Sequence, residues 1–175
     1  MKLLFILGAI LQLVADFQQV KESQMMLEPQ ISTGTLTYRA PDYLRWEYKT
    51  PTQLVWELDA NKSNVSPQIQ RLLKMIMLTI AADNFENSTD FSVRVEEGIY
   101  HLTPKNREIK QFFSLIQIDI DPTNGVAKQV TLTEKSGDIS TITFYNVCNI
   151  IKKCKVACFC ALATRHISLL FLLDK

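Results

Sequence analysis

The sequence predicts an α+β protein in which one helix packs on a large, mostly up-and-down antiparallel β-sheet. Three observations lead to this prediction. Residues alternate between apolar and polar over much of the chain, turn signals follow one another at short spacing, and one helical segment separates two blocks of strands. The length of 175 residues suits a single core. The composition is that of an ordinary globular protein, with 47% hydrophobic residues, 21% charged residues and a net charge of +1. It argues against a disordered or nucleic-acid-coating protein.

The first block of strands is rich in aromatic residues. Apolar and polar residues alternate in three stretches, weakly over residues 16–23 and clearly over residues 31–39 and 43–49. The third stretch places Leu44, Trp46 and Tyr48 on one face. Pro41 and Pro51 stand between the stretches rather than inside them, as expected for residues that cannot donate to a strand ladder. The block is therefore predicted to be a β-meander with one buried face.

A helix is predicted for residues 67–80. Ser66 can cap its N terminus, and Pro67 fits its first turn. The apolar stripe comprises Ile69, Leu72, Leu73, Ile76 and Ile80, and it is widened by Met75, Met77 and Leu78. A helix that is apolar nearly all round has to bury both of its sides, so we expect other parts of the chain to cover it.

The second block of strands begins after Asp90. Its alternating stretches are FSVRVEE, GIYHLTP, KQFFSLIQIDI, GVAKQVTLTE and ISTITFYNV. The turn signals DPTNG and EKSGD separate the last three stretches, which favours sequential antiparallel hairpins. The segment DIDPTNG is similar to a calcium loop, but no acidic residue closes it, so a hairpin turn is the prediction.

The two ends of the chain differ from its body. Residues 1–15, MKLLFILGAILQLVA, have the outline of an export signal with cleavage after Ala15, and the alternative is a buried strand or helix. Residues 148–175 hold five Lys or Arg against one acidic residue and contain all four cysteines, so they form an atypical basic tail. The predicted domain is therefore residues 16–147, and export would place it in the periplasm or outside the cell.

Little in the sequence indicates catalysis or metal binding. The histidines are His101 in a predicted strand and His166 in the tail, and the chain has no nucleophile elbow, HExxH motif or glycine-rich phosphate loop. Cys148, Cys154 and Cys158 with His166 match no standard zinc spacing. We therefore predict no catalytic residues, no metal and no cofactor.

The concentrated apolar surface is the remaining candidate for function. It is either a solid core or the wall of a cavity for acyl chains, because aromatic and methionine side chains suit ligands without a fixed shape. The candidate ligand-binding residues on the strands are Leu36, Tyr38, Leu44, Trp46, Tyr48, Leu54 and Trp56. Those on the helix are Leu72, Leu73, Met75, Ile76, Met77 and Ile80.

The segment TGTLTYRAPDYLRWEYKTP resembles the signature of the bacterial outer-membrane lipoprotein carrier family (LolA). FQQVKES is similar to the first strand of that family, and the region from YHLTPK to DISTITF resembles its C-terminal half. The resemblance covers residues 16–147. It implies a strongly curved, incomplete barrel with a helical lid, for which residues 67–80 are the candidate.

The resemblance also implies a function. A periplasmic transport chaperone of this kind holds lipoprotein acyl chains in a hydrophobic cavity and moves them toward the outer membrane. The implied partners are lipoproteins, an inner-membrane transporter that releases them and an outer-membrane acceptor, with no nucleic acid and a monomeric carrier.

The sequence departs from the family pattern in several places. The export-like run meets the first strand without an intervening helix, and residues 57–66 look shortened. Ala40 stands where some members place an arginine that holds the lid, and Arg39 is predicted to point to the opposite face. Two alternatives therefore remain open, a periplasmic domain that senses lipids or lipoproteins and a truncated, non-functional member. An enzyme acting on lipids is disfavoured because a nucleophile with a nearby base is not evident.

Overall fold

The computed structural model describes residues 10–40, 42–59, 63–67, 69–70, 73 and 88–151. Within these residues the chain forms one antiparallel sheet of nine strands. The strands are β1 (Ile10–Glu22), β2 (Gln30–Arg39), β3 (Tyr43–Thr50), β4 (Leu54–Leu58), β5 (Phe91–Glu96), β6 (Ile99–Pro104), β7 (Phe113–Ile120), β8 (Ala127–Glu134) and β9 (Ile139–Ile151). A short helix, Arg107–Lys110, precedes β7 and was not predicted from the sequence.

Sequential hairpins build the sheet in two halves. The strand order is β4-β3-β2-β1-β9-β8-β7-β6-β5, so each half is an up-and-down meander and the halves meet where β1 pairs with β9. This confirms the predicted antiparallel topology. Because β4 and β5 end the order without pairing to each other, the sheet is not a closed barrel.

The sheet bends so that distant strands face each other. Trp56 on β4 and Phe113 on β7 line one cavity of about 120 Å³, although five strands lie between theirs in the sheet. In a flat sheet, six strand spacings would separate them by roughly 29 Å. The face enclosed by this bend is called the inner face below.

The inner face carries the core. Its residues follow the period of two that the sequence shows, and the pairing register brings them side by side across the sheet. Buried inner-face residues include Leu13, Ala15, Phe17, Leu36, Tyr38, Leu44, Trp46, Leu102, Ile116, Ile118, Val130, Leu132, Ile142 and Phe144. Arg39 lies instead on the outer face, where its guanidinium carbon is 3.9 Å from the centre of the Tyr43 ring, as its predicted orientation requires.

The first turn of the predicted helix is present. Pro67, Ile69, Gln70 and Leu73 are helical. The backbone carbonyl of Ser66 accepts from the Gln70 amide at 2.9 Å, and its hydroxyl lies 3.5 Å from the Ile69 amide nitrogen. Leu73 is fully buried in the core and Ile69 packs against it. Leu72, Met75, Ile76, Met77 and Ile80 lie outside the described residues, so the helical lid stays a prediction.

The first and last strands extend past the predicted domain boundaries. The strand expected to begin at residue 16 begins at Ile10, and β9 continues to Ile151. Leu13 and Ala15 are each 1% exposed. Cleavage after Ala15 stays a prediction, and it would remove residues 10–15 of β1 from the sheet, including these two buried residues.

The DPTNG segment forms the β7–β8 connection. The Asp121 carboxylate accepts hydrogen bonds from the Thr123 amide at 2.8 Å, the Thr123 hydroxyl at 2.6 Å and the Asn124 side-chain amide at 3.0 Å. These bonds are those of a tight turn stabilised by an Asp side chain, and they agree with the predicted hairpin.

Candidate functional site

Aromatic side chains from four strands form a cluster on the inner face. The ring centre of Phe17 on β1 lies 4.3 Å from that of Trp46 and 5.4 Å from that of Tyr48, both on β3. Tyr48 contacts Trp56 on β4 edge-on at 5.3 Å, and Trp46 contacts Phe144 on β9 edge-on at 6.2 Å. The cluster forms because Phe17 pairs with Phe144 and Trp46 pairs with Trp56 across neighbouring strands.

A glycine on β2 makes room for this cluster. Gly34 pairs with Phe17 on one side and with Tyr48 on the other. A β-carbon at position 34 would lie 2.6 Å from Phe17 Cζ and would also collide with the backbone carbonyl of Glu47. The Phe17 ring therefore lies directly over the glycine, where a larger residue cannot fit.

A cleft opens beside the cluster. Its volume is about 290 Å³, and it lies at the end of the sheet where the β1–β2 and β3–β4 connections meet. Tyr48, Leu54 and Trp56 supply large apolar surfaces. The remaining lining residues are Gln19, Lys21, Gln30, Ser32, Thr50, Pro51, Thr52 and Gln53. The cleft thus has an apolar wall and a largely polar rim.

A smaller cavity adjoins the cleft. It has a volume of about 120 Å³ and shares with the cleft the residues Gln19, Lys21, Tyr48 and Trp56. Its other lining residues are Trp46, Phe113, Leu132, Glu134, Ser140 and Ile142. Because residues of both halves of the sheet line it, the two spaces together reach from the β3–β4 edge to β7.

Ion pairs and a hydrogen bond hold side chains in place at the rim of the cleft. Lys21 Nζ lies 3.0 Å from Glu134 Oε1 and 3.5 Å from Asp138 Oδ2. The hydrogen bond with Glu134 is the main reason that the pKa of Lys21 is raised above its ordinary value, so the side chain is a cation. Nearby, the Tyr48 hydroxyl donates to Gln19 Oε1 at 2.8 Å, which holds the Tyr48 ring against the cleft.

The aromatic cluster is called the aromatic floor below, and burial is the main influence on its ionisable side chain, Tyr48. It raises the pKa of Tyr48 to about 12, and the neighbouring Trp46 side chain offsets this only in part. The indole N–H of Trp46 lies near Tyr48 but is not in hydrogen-bonding geometry. Trp46 Nε1 is buried and has no hydrogen-bond partner within the part of the chain that the structure describes.

The structure brings together some of the predicted site residues. Trp46, Tyr48, Leu54 and Trp56 line the cleft or the smaller cavity. Leu36, Tyr38, Leu44 and Leu73 are buried in the core and line neither space. Their assignment to an acyl-binding wall stays a prediction, as does that of the predicted helix residues outside the described ranges.

Sequence reasoning missed several residues of the site. The missed lining residues are Gln19, Lys21, Gln30, Ser32, Thr50, Pro51, Thr52, Gln53, Phe113, Leu132, Glu134, Ser140 and Ile142. The period of two places Gln19 and Lys21 on the same face as Phe17, so their face was readable from the sequence. Their proximity to β8 and β9 was not, because it depends on pairing between strands more than 100 residues apart.

Among the described residues there is no group of three or more His, Cys, Asp or Glu side chains that could hold a metal ion. In the same part of the chain, no helix has the length and apolar character needed to cross a membrane.

Comparisons with solved structures give distant likenesses. The MucA/MucB complex of Pseudomonas aeruginosa matches with 11% identity and a TM-score of 0.44, over 79% of this chain and 51% of that chain. A LolA superfamily protein of Nitrosomonas europaea matches with 8% identity and a TM-score of 0.38, over 78% of this chain and 84% of that chain. A putative outer membrane lipoprotein-sorting protein domain from Vibrio parahaemolyticus matches with 7% identity and a TM-score of 0.37, over 79% and 85%.

The chain spans about half the length of the MucB chain that it matches. A comparison with curated proteins finds no significant match. The family model described as outer membrane lipoprotein carrier protein LolA matches residues 9–153, most of the sequence. This chain belongs to the LolA family.

Proposed function

We propose that this chain binds the acyl chains of lipoproteins in the cleft of its inner face and carries them through the periplasm toward the outer membrane. The observation that carries the proposal is the cleft itself. The sheet buries most of its inner face, yet leaves about 290 Å³ open beside Tyr48, Leu54 and Trp56. Leu54 is 46% exposed at the wall of this space, so part of its apolar surface is open to a ligand.

Burial of an acyl chain supplies enough free energy for a carrier to bind it. Each methylene removed from water contributes about 0.8 kcal/mol, so ten buried methylenes contribute roughly 8 kcal/mol before the costs of binding. Small-molecule sites usually have volumes of about 300–1,000 Å³. The cleft lies just below this range, so it suits part of one acyl chain, and a lipoprotein with several chains requires it to widen.

The helix predicted for residues 67–80 is our candidate for the element that moves. Ile69 and Leu73 are one helical turn apart and both face the core. If the helix shifts when cargo enters, acyl chains replace the contacts that these two residues make. The same helix then acts as a lid that closes again after release.

Titration with a triacylated lipopeptide tests the binding step. Trp46 is 2% exposed and buried beneath the cleft, whereas Trp56 is half-buried in its wall. We expect cargo to shift the emission of Trp56 to shorter wavelength. Trp46→Phe should keep this response, and Trp56→Phe should remove most of it.

A matched control peptide makes the test decisive. A non-acylated peptide of the same sequence should leave both the emission and the melting temperature unchanged. If the triacylated peptide behaves in the same way as that control, the chain is not a carrier. The alternative of a lipid-sensing domain predicts binding together with a stable protein partner, which affinity purification from the periplasm would reveal.

A further inference from the structure

The inner face changes from apolar to polar near the cleft. On β1, Phe17 is followed on the same face by Gln19 and Lys21, and on β9, Ile142 is followed by Ser140 toward the same end. The same change takes place on β2, β3 and β8. We call this set of residues the polar band, and it comprises Gln19, Lys21, Ser32, Thr50, Glu134 and Ser140.

The polar band lies between the aromatic floor and the loops at that end of the sheet. All six of its residues line the cleft or the smaller cavity, so a ligand with its chain on the aromatic floor would place its polar end here. The band would therefore distinguish ligands by their polar ends rather than by their hydrocarbon chains.

The charge of Lys21 and its two partners is unbalanced. Lys21 is paired with the carboxylate of Glu134 in the band at 3.0 Å and with that of Asp138, which lies outside the band, at 3.5 Å. One cation and two anions leave one negative charge. The side chains of Lys21, Glu134 and Asp138 are 33%, 32% and 21% exposed, so water screens this charge only in part.

The band and its floor also offer hydrogen-bond donors. Trp46 lines the smaller cavity, and its Nε1 is buried without a partner among the described residues. Ser140, with a hydroxyl that can donate, is 4% exposed in the same cavity. An unpaired buried donor is unfavourable until an acceptor reaches it, and a neutral carbonyl supplies one without adding charge.

We propose that the polar band selects amphiphiles whose polar end is neutral and accepts hydrogen bonds, as ester and amide linkages do, and that it disfavours the carboxylate of a free fatty acid. The proposal rests on the proposed function, because it assumes that acyl chains occupy the cleft. It gives a carrier of acylated peptides a means of avoiding free fatty acids, since their anionic ends would meet a site that is already negative.

Binding of cis-parinaric acid and of its methyl ester to the full chain tests the proposal. The two fluorescent probes share one hydrocarbon chain and differ in the charge of the polar end at about pH 8. We expect the wild-type chain to bind the ester about tenfold more tightly than the acid, as repulsion from one partly screened charge predicts.

Glu134→Gln is the informative variant. It removes the excess negative charge and keeps an acceptor for Lys21, so the affinity for the acid relative to that for the ester should rise about tenfold. Glu96→Gln is the matched control, because Glu96 pairs with Arg94 at 3.1 Å at the opposite end of the sheet. That variant should change neither affinity, and melting temperatures check that both variants fold.

The outcomes separate the two claims. If the wild-type chain binds the acid as tightly as the ester, or if Glu134→Gln leaves the ratio of the two affinities unchanged, the selection proposed for the polar band is refuted and acyl binding stands. If the folded wild-type chain binds neither probe, the proposed carrier function itself fails.

Discussion

Replacing Gly34 by alanine tests how the aromatic floor is packed. The new β-carbon would lie 2.6 Å and 2.8 Å from two carbons of the Phe17 ring and would collide with the Glu47 carbonyl. Overpacking of this kind costs about 1–3 kcal/mol, whereas alanine gains about 0.5–1 kcal/mol over glycine in a strand. Because both a ring and a backbone have to move, we expect a net loss of about 2 kcal/mol in the free energy of unfolding.

Urea unfolding of wild type and Gly34→Ala measures this loss, with Thr35→Ala on the opposite face of β2 as the control. The Phe17 ring contacts Trp46 and Tyr48, so its displacement should also weaken binding of an acyl probe. Adding Phe17→Leu should recover part of the stability but not all, since the collision with the Glu47 carbonyl remains. A Gly34→Ala variant within about 0.5 kcal/mol of wild type would refute the reasoning.

Three further predictions concern the helix, the floor and the end of β9. If the helix only fills a core, Leu73→Ala should lower the free energy of unfolding by about 2–5 kcal/mol. If the helix is a lid, the loss of stability should be smaller and the loss of acyl-probe affinity larger, and urea unfolding with probe titration separates these two cases. Ile69→Ala should cost less stability than Leu73→Ala in either case. Folding raises the pKa of Tyr48 from 10.0 to about 12, so the unfolded state releases this proton at lower pH and stability should fall as the pH rises between these values. Tyr48→Phe should remove this contribution to the decrease in melting temperature. Ending the chain after Val147 should lower the melting temperature, because residues 148–151 pair with the start of β1, whereas ending it after Ile151 should retain acyl binding. Equal melting temperatures for the two truncations would contradict this view of β9.

The predicted strands were largely confirmed because a strand with one buried face has a local signature. Leu44, Trp46 and Tyr48 alternate with polar residues, and the structure buries Leu44 and Trp46 and places Tyr48 at the cleft. The turn at Asp121 was equally readable, since its side-chain hydrogen bonds involve residues two and three positions away. Such features need no knowledge of the rest of the fold.

The start of β1 shows where local patterns stop being informative. An export signal and a buried strand both require a short apolar run, so residues 10–15 fit either description. The structure pairs this run with β2 and β9, and that pairing depends on residues near positions 36 and 148. Composition within a window of fifteen residues contains none of this information.

The sequence by itself determined which residues share a face, and the motif TGTLTYRAPDYLRWEYKTP carries the resemblance to the family. The turns between strands also predicted the sequential hairpins, but the tertiary structure alone decided that the first and last strands are neighbours. It joined β1 to β9 and so brought Lys21 to Glu134, 113 residues later. The physical reason is that a period of two specifies the direction of a side chain, whereas the partner of a strand is selected by the burial and hydrogen bonding of the whole sheet. The cleft and its polar band are products of that pairing.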